Sequence, residues 1–491
     1  MINDLLSSVE LCSDYCWDFP FAPSENYPEY PFSDFSGKNP VYRAVRNHFE
    51  NLELDIANFN TPQWNPFGEF DIIGKKIVIK PNWVMHEHPQ NKTIWSMITH
   101  PSVIRVVLDY IYIASKGNCE VTIGDAPLQS ADFDKIIELS KINELISYFR
   151  EKGLNIIVED FRLEKAIRDR KKHIIKTIKL SDDSGKYCAV NLFNKSLHSE
   201  IDSSYKKYRV TCYDKRKMLK HHHPGYHEYL ISKIVLGSDF VINLAKMKTH
   251  RKAGVTLSLK NLIGINCSKD WLPHHRRGAK SKSSDEYEKF NLFQSLGVYF
   301  TELGYMQRNI SLRGLSIFIG RVFNKLHKEI SRIFHQRYYS EGSWFGNDTV
   351  WRTCLDINKI LFYSDKNGNI SNKKSKRRYL TIIDGIIGGE KEAPLKPTPI
   401  SSGVTIAAFN PAVSDFVAAR IMGIDPYKVP IVKNSFLQNS LPIFDKNPEE
   451  IEVKSSEKCY NINASSLKII KQFEPSSGWK GHIEIKDNNK C

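Results

Sequence analysis

Two stretches of this chain end apolar runs in groups that can hold an anion or move a proton. In INLAKMKTH (242–250) the run Phe240 to Ala245 breaks into Lys246, Lys248, Thr249 and His250. In GVTLSLKNLIG (254–264) a second run breaks into Lys260 and Asn261, and Gly264 closes it. Lysines bind phosphate or carboxylate as compact cations, and a desolvated lysine or a histidine can act as acid or base. His250, inside the cluster, is the expected acid/base, with Lys246 and Lys260 as its catalytic partners. Lys260 follows VTLSL, and a lysine there needs a partner or a ligand.

Other strand candidates end in the same way. KKIVIK (75–80) ends on Lys80, followed by Pro81 and Asn82. CEVTIG (119–124) leads into Asp125, and YLTIID (379–384) ends on Asp384. GVTIAAF (403–409) reaches Asn410. In a parallel sheet such ends share one edge, where ligands bind. Lys80, Asn82, Lys248 and Asn261 are therefore expected to bind substrate. The glycine-rich GIIGGEKEAP (385–394) could bring backbone amides close to an anion, with Gly389 at its centre. Asp125, Asp384 and Asp415 are the candidates to hold a divalent cation such as Mg²⁺. The blander roles are turn formation for Asp125 and Asp384 and a first-turn helix acid for Asp415. No P-loop, GxGxxG, GxSxG or HExxH motif occurs.

The elements that must position these residues alternate. Pro101 opens a helix with Ile104, Val107, Leu108 and Ile111 on one face, and Ile137 to Phe149 reads as another. NIIVED (155–160) reads as a strand, and Asn410-Pro411 opens a helix stopped by Gly423. Strands separated by helices of this length imply βαβ units. The predicted fold is α/β, a mostly parallel sheet flanked by helices, with long basic insertions. An irregular aromatic arm and helix occupy 1–70. The core spans 71–430, interrupted by a loop and helical insertion at about 268–375, and an extension fills 431–491. The polar segment 268–290, with Trp271, His274 and Arg276, reads as a long loop able to act as a lid.

Composition narrows the function classes. The formal charge of +15 favours anionic partners. Nine scattered cysteines without a CxxC pair argue against a disulfide scaffold or a zinc ribbon. The acidic opening MINDLLSSVELCSDYC does not read as a secretory signal, and no apolar run is long enough to span a bilayer. A cytoplasmic location is expected.

IVIKPNWV (77–84), THP (99–101), TIGDAP (122–127), INLAKMKTH, GVTLSLKNLIG, DGIIGGE (384–390) and FNPAVSDFVAARIMGIDP (409–426) together resemble the family called domain of unknown function 362. The DWLPHHRRG loop (270–278) looks like its bacterial members. The resemblance spans roughly 71–430 and implies an α/β protein. It places the family's motif positions on Lys80, Asn82, Asp125, Lys246, Lys248, His250, Lys260, Asn261, Asp384 and Asp415. Some relatives carry a fused ferredoxin module; this chain lacks the cysteines for one, so no iron–sulfur cluster is expected. His and Lys at strand ends are also similar in style to lactate racemases, at the level of fold alone.

The leading expectation is an enzyme acting on a small anionic substrate by proton or group transfer, as an isomerase or transferase. The alternative is a nucleic-acid-binding protein using the basic segments 207–223, 274–282 and 373–378. A third reading places the amphipathic helix around 312–334 on an anionic membrane surface, although the same pattern suits a core-facing helix.

Overall fold

The alternation of apolar runs and helices folds as one large sheet. It is built from β1 (Leu6–Leu11), β2 (Lys76–Pro81), β3 (Glu120–Asp125), β4 (Asn155–Asp160), β5 (Phe240–His250), β6 (Arg378–Glu392), β7 (Lys396–Ala408), β8 (Glu452–Lys454) and β9 (Ile462–Asn463). Their order across the sheet is β9-β8-β1-β7-β6-β5-β2-β3-β4, with a short Gly254–Val255 strand paired on β5. The computed structural model describes residues 3–168, 174–210, 215–307, 309–334 and 338–486.

β4, β3, β2, β5 and β6 run parallel. The helices between them are α1 (Pro40–Asn51), ahead of β2, then α2 (Pro101–Ser115), α3 (Phe133–Leu139) and α4 (Ile142–Glu151). α2 starts where the sequence signals: Pro101 lies in its first turn and His100 accepts from the Ser102 amide as N-cap. The helix expected from Ile137 to Phe149 is instead two helices. Lys141 adopts φ +50° between them, and this left-handed residue breaks the run.

Alternation along the strands feeds two sides. Ile77, Ile79, Ile242 and Leu244 pack with Val103, Val107 and Ile111 of α2. Ala245, Met247 and Ile406 pack with Leu355 and Phe416. Those last two lie on α8 (Val350–Tyr363) and α9 (Pro411–Ile421). Before them come α5 (Leu257–Asn261), α6 (Leu292–Met306) and α7 (Ile310–Ile333).

Two features depart from the sequence reading. β7 runs antiparallel to β6, so its end at Asn410 lies on the edge opposite the other strand ends. There Asn410 caps α9 by accepting from the Ala412 amide. The chain outside 71–430 also joins the sheet: β1 pairs with both β7 and β8. Among the described residues no helix is long and apolar enough to cross a membrane.

Candidate functional site

The lysine cluster is strand, not loop. β5 continues through KMKTH to His250, and all of its residues are buried. Side chains on a strand alternate, so Lys246, Lys248 and His250 share one face while Met247 and Thr249 take the other. The three polar groups therefore sit at increasing distance along one line, and each meets a different environment.

Lys246 is the deepest. Its Nζ lies 2.8 Å from Asp384 Oδ2, and both side chains are sealed from solvent. The two residues are direct register partners on β5 and β6. The Lys246 ammonium also donates to the Tyr15 hydroxyl at 2.7 Å, which in turn donates to Asp384 Oδ1 at 2.6 Å. The His100 amide donates to Asp384 as well, at 3.0 Å. Burial lowers the Lys246 pKa and the carboxylate opposes it. Both carboxylate oxygens of Asp384 and two of the three ammonium protons of Lys246 are thus engaged within the protein.

A second pair stands at the end of β2. Lys80 Nζ lies 2.8 Å from Asp125 Oδ1. Asp125 Oδ2 accepts from the Trp83 amide at 2.7 Å. Gly264 makes room for the pair: a Cβ there would fall 1.9 Å from Asp125 Oδ1 and 2.7 Å from Lys80 Nζ. Three asparagines bind these elements together. Asn261 Oδ1 accepts from Asn82 Nδ2 at 2.6 Å and from Lys80 at 3.2 Å. Asn261 Nδ2 donates to Asn243 Oδ1 at 2.7 Å. Lys248 donates to Asn82 Oδ1 at 2.6 Å and to the Met97 carbonyl at 2.7 Å. Its partners are neutral, so burial and the nearby Lys246 and Lys260 push its pKa well below the usual lysine value.

These groups floor a pocket of about 320 Å³. Lys248, Arg251, Lys252, Lys260 and Lys269 line it, against Asp125 and Glu341. Asp125 is already spoken for by Lys80, so the lining carries a surplus of positive charge. Lys260 is the extreme case. It is 8 % exposed, lines the pocket, and its ammonium has no hydrogen-bond or ion-pair partner among the described residues. Burial lowers its pKa. Lys269 donates to the Ala126 carbonyl at 2.8 Å, and burial brings its pKa down to about 8.

α5, which carries Lys260 and Asn261, is held by Asp415. The two carboxylate oxygens accept from the Ser258 and Leu259 amides at 2.7 and 3.0 Å. Leu257 opens the helix at φ +46°, a left-handed value that is costly for a side chain with a Cβ. Such strain persists only where the surroundings over-determine it, and Asp415 supplies that constraint. Burial raises the Asp415 pKa to about 8.

Two histidines line the same pocket in opposite tautomers. His250 Nδ1 accepts from the Lys252 and Ala253 amides at 3.0 and 3.1 Å. Its proton must therefore be on Nε2. His274 Nδ1 lies 2.7 Å from the Leu272 carbonyl. A carbonyl only accepts, so Nδ1 carries the proton there and Nε2 keeps its lone pair. Burial pushes both imidazoles well below their usual pKa. Protonating His250 would aim an N–H at two backbone N–H groups. Protonating His274 would keep its bond to the carbonyl. His250 is thus built to donate a hydrogen bond, and His274 to accept a proton.

The comparisons with known proteins bear on the frame around this pocket. The family described as Domain of unknown function (DUF362) matches residues 77–199 and 198–420. The chain belongs to this family. A search of the curated proteins finds no match. Among solved structures the chain is similar to the lactate racemase apoprotein from Thermoanaerobacterium thermosaccharolyticum, at 11% identity and a TM-score of 0.33. That alignment covers 78% of this chain and spans 55% of the other.

Within this DUF362 chain, Asn82, Asp125, Lys248, His250, Lys260 and Asn261 line the pocket. Lys80 lies directly behind Asp125. Lys246, Asp384 and Asp415 do not line the pocket: Lys246 pairs with Asp384, and Asp415 accepts from the Ser258 and Leu259 amides. The three carboxylates expected to share a cation do not converge, because each already meets a lysine or backbone amides. Among the described residues no group of three or more His, Cys, Asp or Glu could hold a metal ion. Gly389 is the register partner of Lys248 and is not among the residues that line the pocket. A Cβ there would meet the Ser96 carbonyl at 2.6 Å and Lys248 Cγ at 3.1 Å, so it is small to let Lys248 pass.

The sequence reading passed over His274 and Lys269 as site residues. Both sit in 268–290, of which Lys269, Leu272 and His274 line the pocket while 280–283 and 288–290 are exposed. Lys269, Asp270, Leu272 and His275 are buried, and the His274 amide donates to the Arg209 carbonyl at 2.8 Å. The one legible signal was the position of this segment directly after GVTLSLKNLIG. Several charges of the basic segments are also consumed inside. Arg209, Lys215 and Arg277 all pair with Glu302, and Arg377 caps the Leu236 and Leu361 carbonyls.

Proposed function

We propose that this protein is an enzyme that removes a proton from carbon on a small carboxylate- or phosphate-bearing substrate. The observation that carries the reading is the pair of fixed, opposite histidine tautomers in a pocket whose Lys260 has no hydrogen-bond or ion-pair partner among the described residues. Lys260, with Lys269 and Lys248, takes the anionic group. An anion there relieves the burial of uncompensated ammonium groups, so binding is favourable for a physical reason. His274 Nε2 is the base. The His250 Nε2–H stands as the donor to the oxygen on which negative charge develops, the role a neutral imidazole can fill without changing its protonation state. Asp125 orients the Trp83 backbone and holds Lys80, and Asp415 holds the helix that carries Lys260.

Proton removal can be read without knowing the final product. The purified protein would be incubated in D2O with a panel of hydroxy acids, oxo acids, sugar phosphates and acyl phosphates. Proton NMR would follow loss of the carbon-bound hydrogen beside the carbonyl or carboxylate. The expected result is deuterium wash-in for one class, abolished in His274→Gln while that protein still binds the compound. Ligands that bind the Lys260 pocket and never exchange would overturn the reading in favour of a binding protein.

A further inference from the structure

The α6–α7 hairpin carries an apolar face that the other described residues do not cover. The two helices meet through small residues. A Cβ on Gly320 would fall 2.4 Å from Thr301 Oγ1 and 2.8 Å from the Gly297 carbonyl, and one on Gly304 would fall 2.6 Å from Ile317 Cγ1. This close seam needs few large side chains. Leu312, Leu315, Phe318, Val322, Leu326 and Ile333 are left outside, with exposures from 42% at Val322 to 71% at Ile333. At helical spacing all but Ile333 form one stripe along α7. Phe293 and Tyr299 of α6 are also exposed. Single exposed leucines need no explanation, but a stripe from Leu312 to Leu326 does, and Glu329 separates it from Ile333.

Beside the stripe runs a second row. Arg321, Lys325, Lys328 and Arg332 recur at intervals of four, three and four residues, and all are exposed. Glu329 is the one acid in the helix, and it lies 3.8 Å from Arg332. An apolar stripe bordered by a cationic row is the pattern of a helix lying in the headgroup region of a membrane. A second copy of this chain would bring like charges against the row. Anionic headgroups would neutralise it while the apolar side chains enter the acyl boundary.

We propose that the α6–α7 hairpin docks this protein on anionic lipid bilayers, lying in the surface without crossing it. The proposal is independent of the chemistry in the Lys260 pocket. The test is co-sedimentation of the full chain with vesicles of phosphatidylcholine alone and of phosphatidylcholine mixed with phosphatidylglycerol. Binding to the mixed vesicles is expected to be at least roughly tenfold stronger and to weaken with salt. Leu315→Glu with Phe318→Glu should abolish it, and Lys325→Glu with Lys328→Glu should remove the preference for the anionic lipid. Circular dichroism and thermal unfolding would show that both variants fold. No sedimentation with either vesicle, or sedimentation unchanged in the Leu315→Glu, Phe318→Glu protein, would overturn the proposal. So would self-association through this face without vesicle binding, which would assign the stripe to a second copy.

Discussion

Lys246 and Asp384 face each other at 2.8 Å across β5 and β6 with no solvent contact, and Tyr15 bridges them. Removing one partner of a buried pair leaves a charge without compensation, which costs roughly 3–5 kcal/mol. Asp384→Asn and Lys246→Ala should each lower the unfolding free energy by about that amount in urea titrations. A loss below about 1 kcal/mol for Asp384→Asn would show that the pair does not act as a structural clamp. This assignment moves Lys246 from the reaction to the frame.

Lys260 should behave in the opposite sense. Among the described residues it has no partner to orphan, and burial already disfavours its charge. Lys260→Met keeps most of the length of the side chain and removes the ammonium. The thermal midpoint should hold or rise, while binding of any anionic ligand falls by tenfold or more, about 1.4 kcal/mol. A variant that unfolds would place Lys260 among the structural lysines.

The burial of these ammonium groups also predicts a proton linkage. Burial brings Lys269 from 10.5 down to about 8, and Lys260 shifts in the same direction. Between about pH 8 and 10.5 the folded protein therefore holds fewer protons than the unfolded chain. Stability from this source is present above the unfolded value and is lost as pH falls through about 8. A bound anion favours the charged lysines and raises their pKa again. Sulfate binding at pH 8 to 9 should take up protons and weaken as pH rises further. Calorimetry in two buffers of different ionisation enthalpy would read the uptake, and equal heats in both would refute the linkage.

The sheet was legible because its strands are short apolar runs punctuated by Gly, Pro and Asp, and 155–160 matches β4 at both ends. What hid was contact that spacing does not encode. Nothing in YLTIIDGIIGGE says that Asp384 lies mid-strand opposite Lys246, because register is set by the neighbouring strand. Nothing near Asn410 says that β7 reverses direction. His274 lies in a segment whose polar sequence looks solvated; it is a wall because Arg209 and Trp344 pin it, through the His274 amide to the Arg209 carbonyl and the Trp344 indole to the Asp285 carbonyl. The lysines stand together in the sequence, but only their partners distinguish Lys80 and Lys246, which face carboxylates, from Lys260, which meets none among the described residues.

Gly264 offers a test of the Lys80–Asp125 pair without touching either residue. A Cβ at this position would overlap Asp125 Oδ1 at 1.9 Å, so Gly264→Ala must push the carboxylate off Lys80 and off the Trp83 amide. Stability should fall by roughly 2 kcal/mol or more, since an orphaned buried donor adds to the broken ion pair. Ligand binding should fall with it, because Trp83 lines the pocket. Wild-type stability in Gly264→Ala would mean that the pair has room to move.

The two histidines should separate in their pH profiles. His274 is held well below its usual pKa by burial, so it stays neutral at pH 7 with its Nε2 lone pair available. The exchange rate should be flat around neutrality and fall only on the acid side, below the ordinary histidine value of about 6.5. His250 cannot take a proton without opposing two backbone N–H groups, so it should contribute no limb of its own. His250→Gln replaces the rigid, aimed Nε2–H by a flexible amide and should lower the exchange rate by about 10²-fold, at the lower end of what loss of a well-aimed oxyanion donor costs. The acid limb should stay where it was. His274→Gln should remove both the activity and the limb. If the limb moves in His250→Gln instead, the base is His250 and the tautomer argument fails.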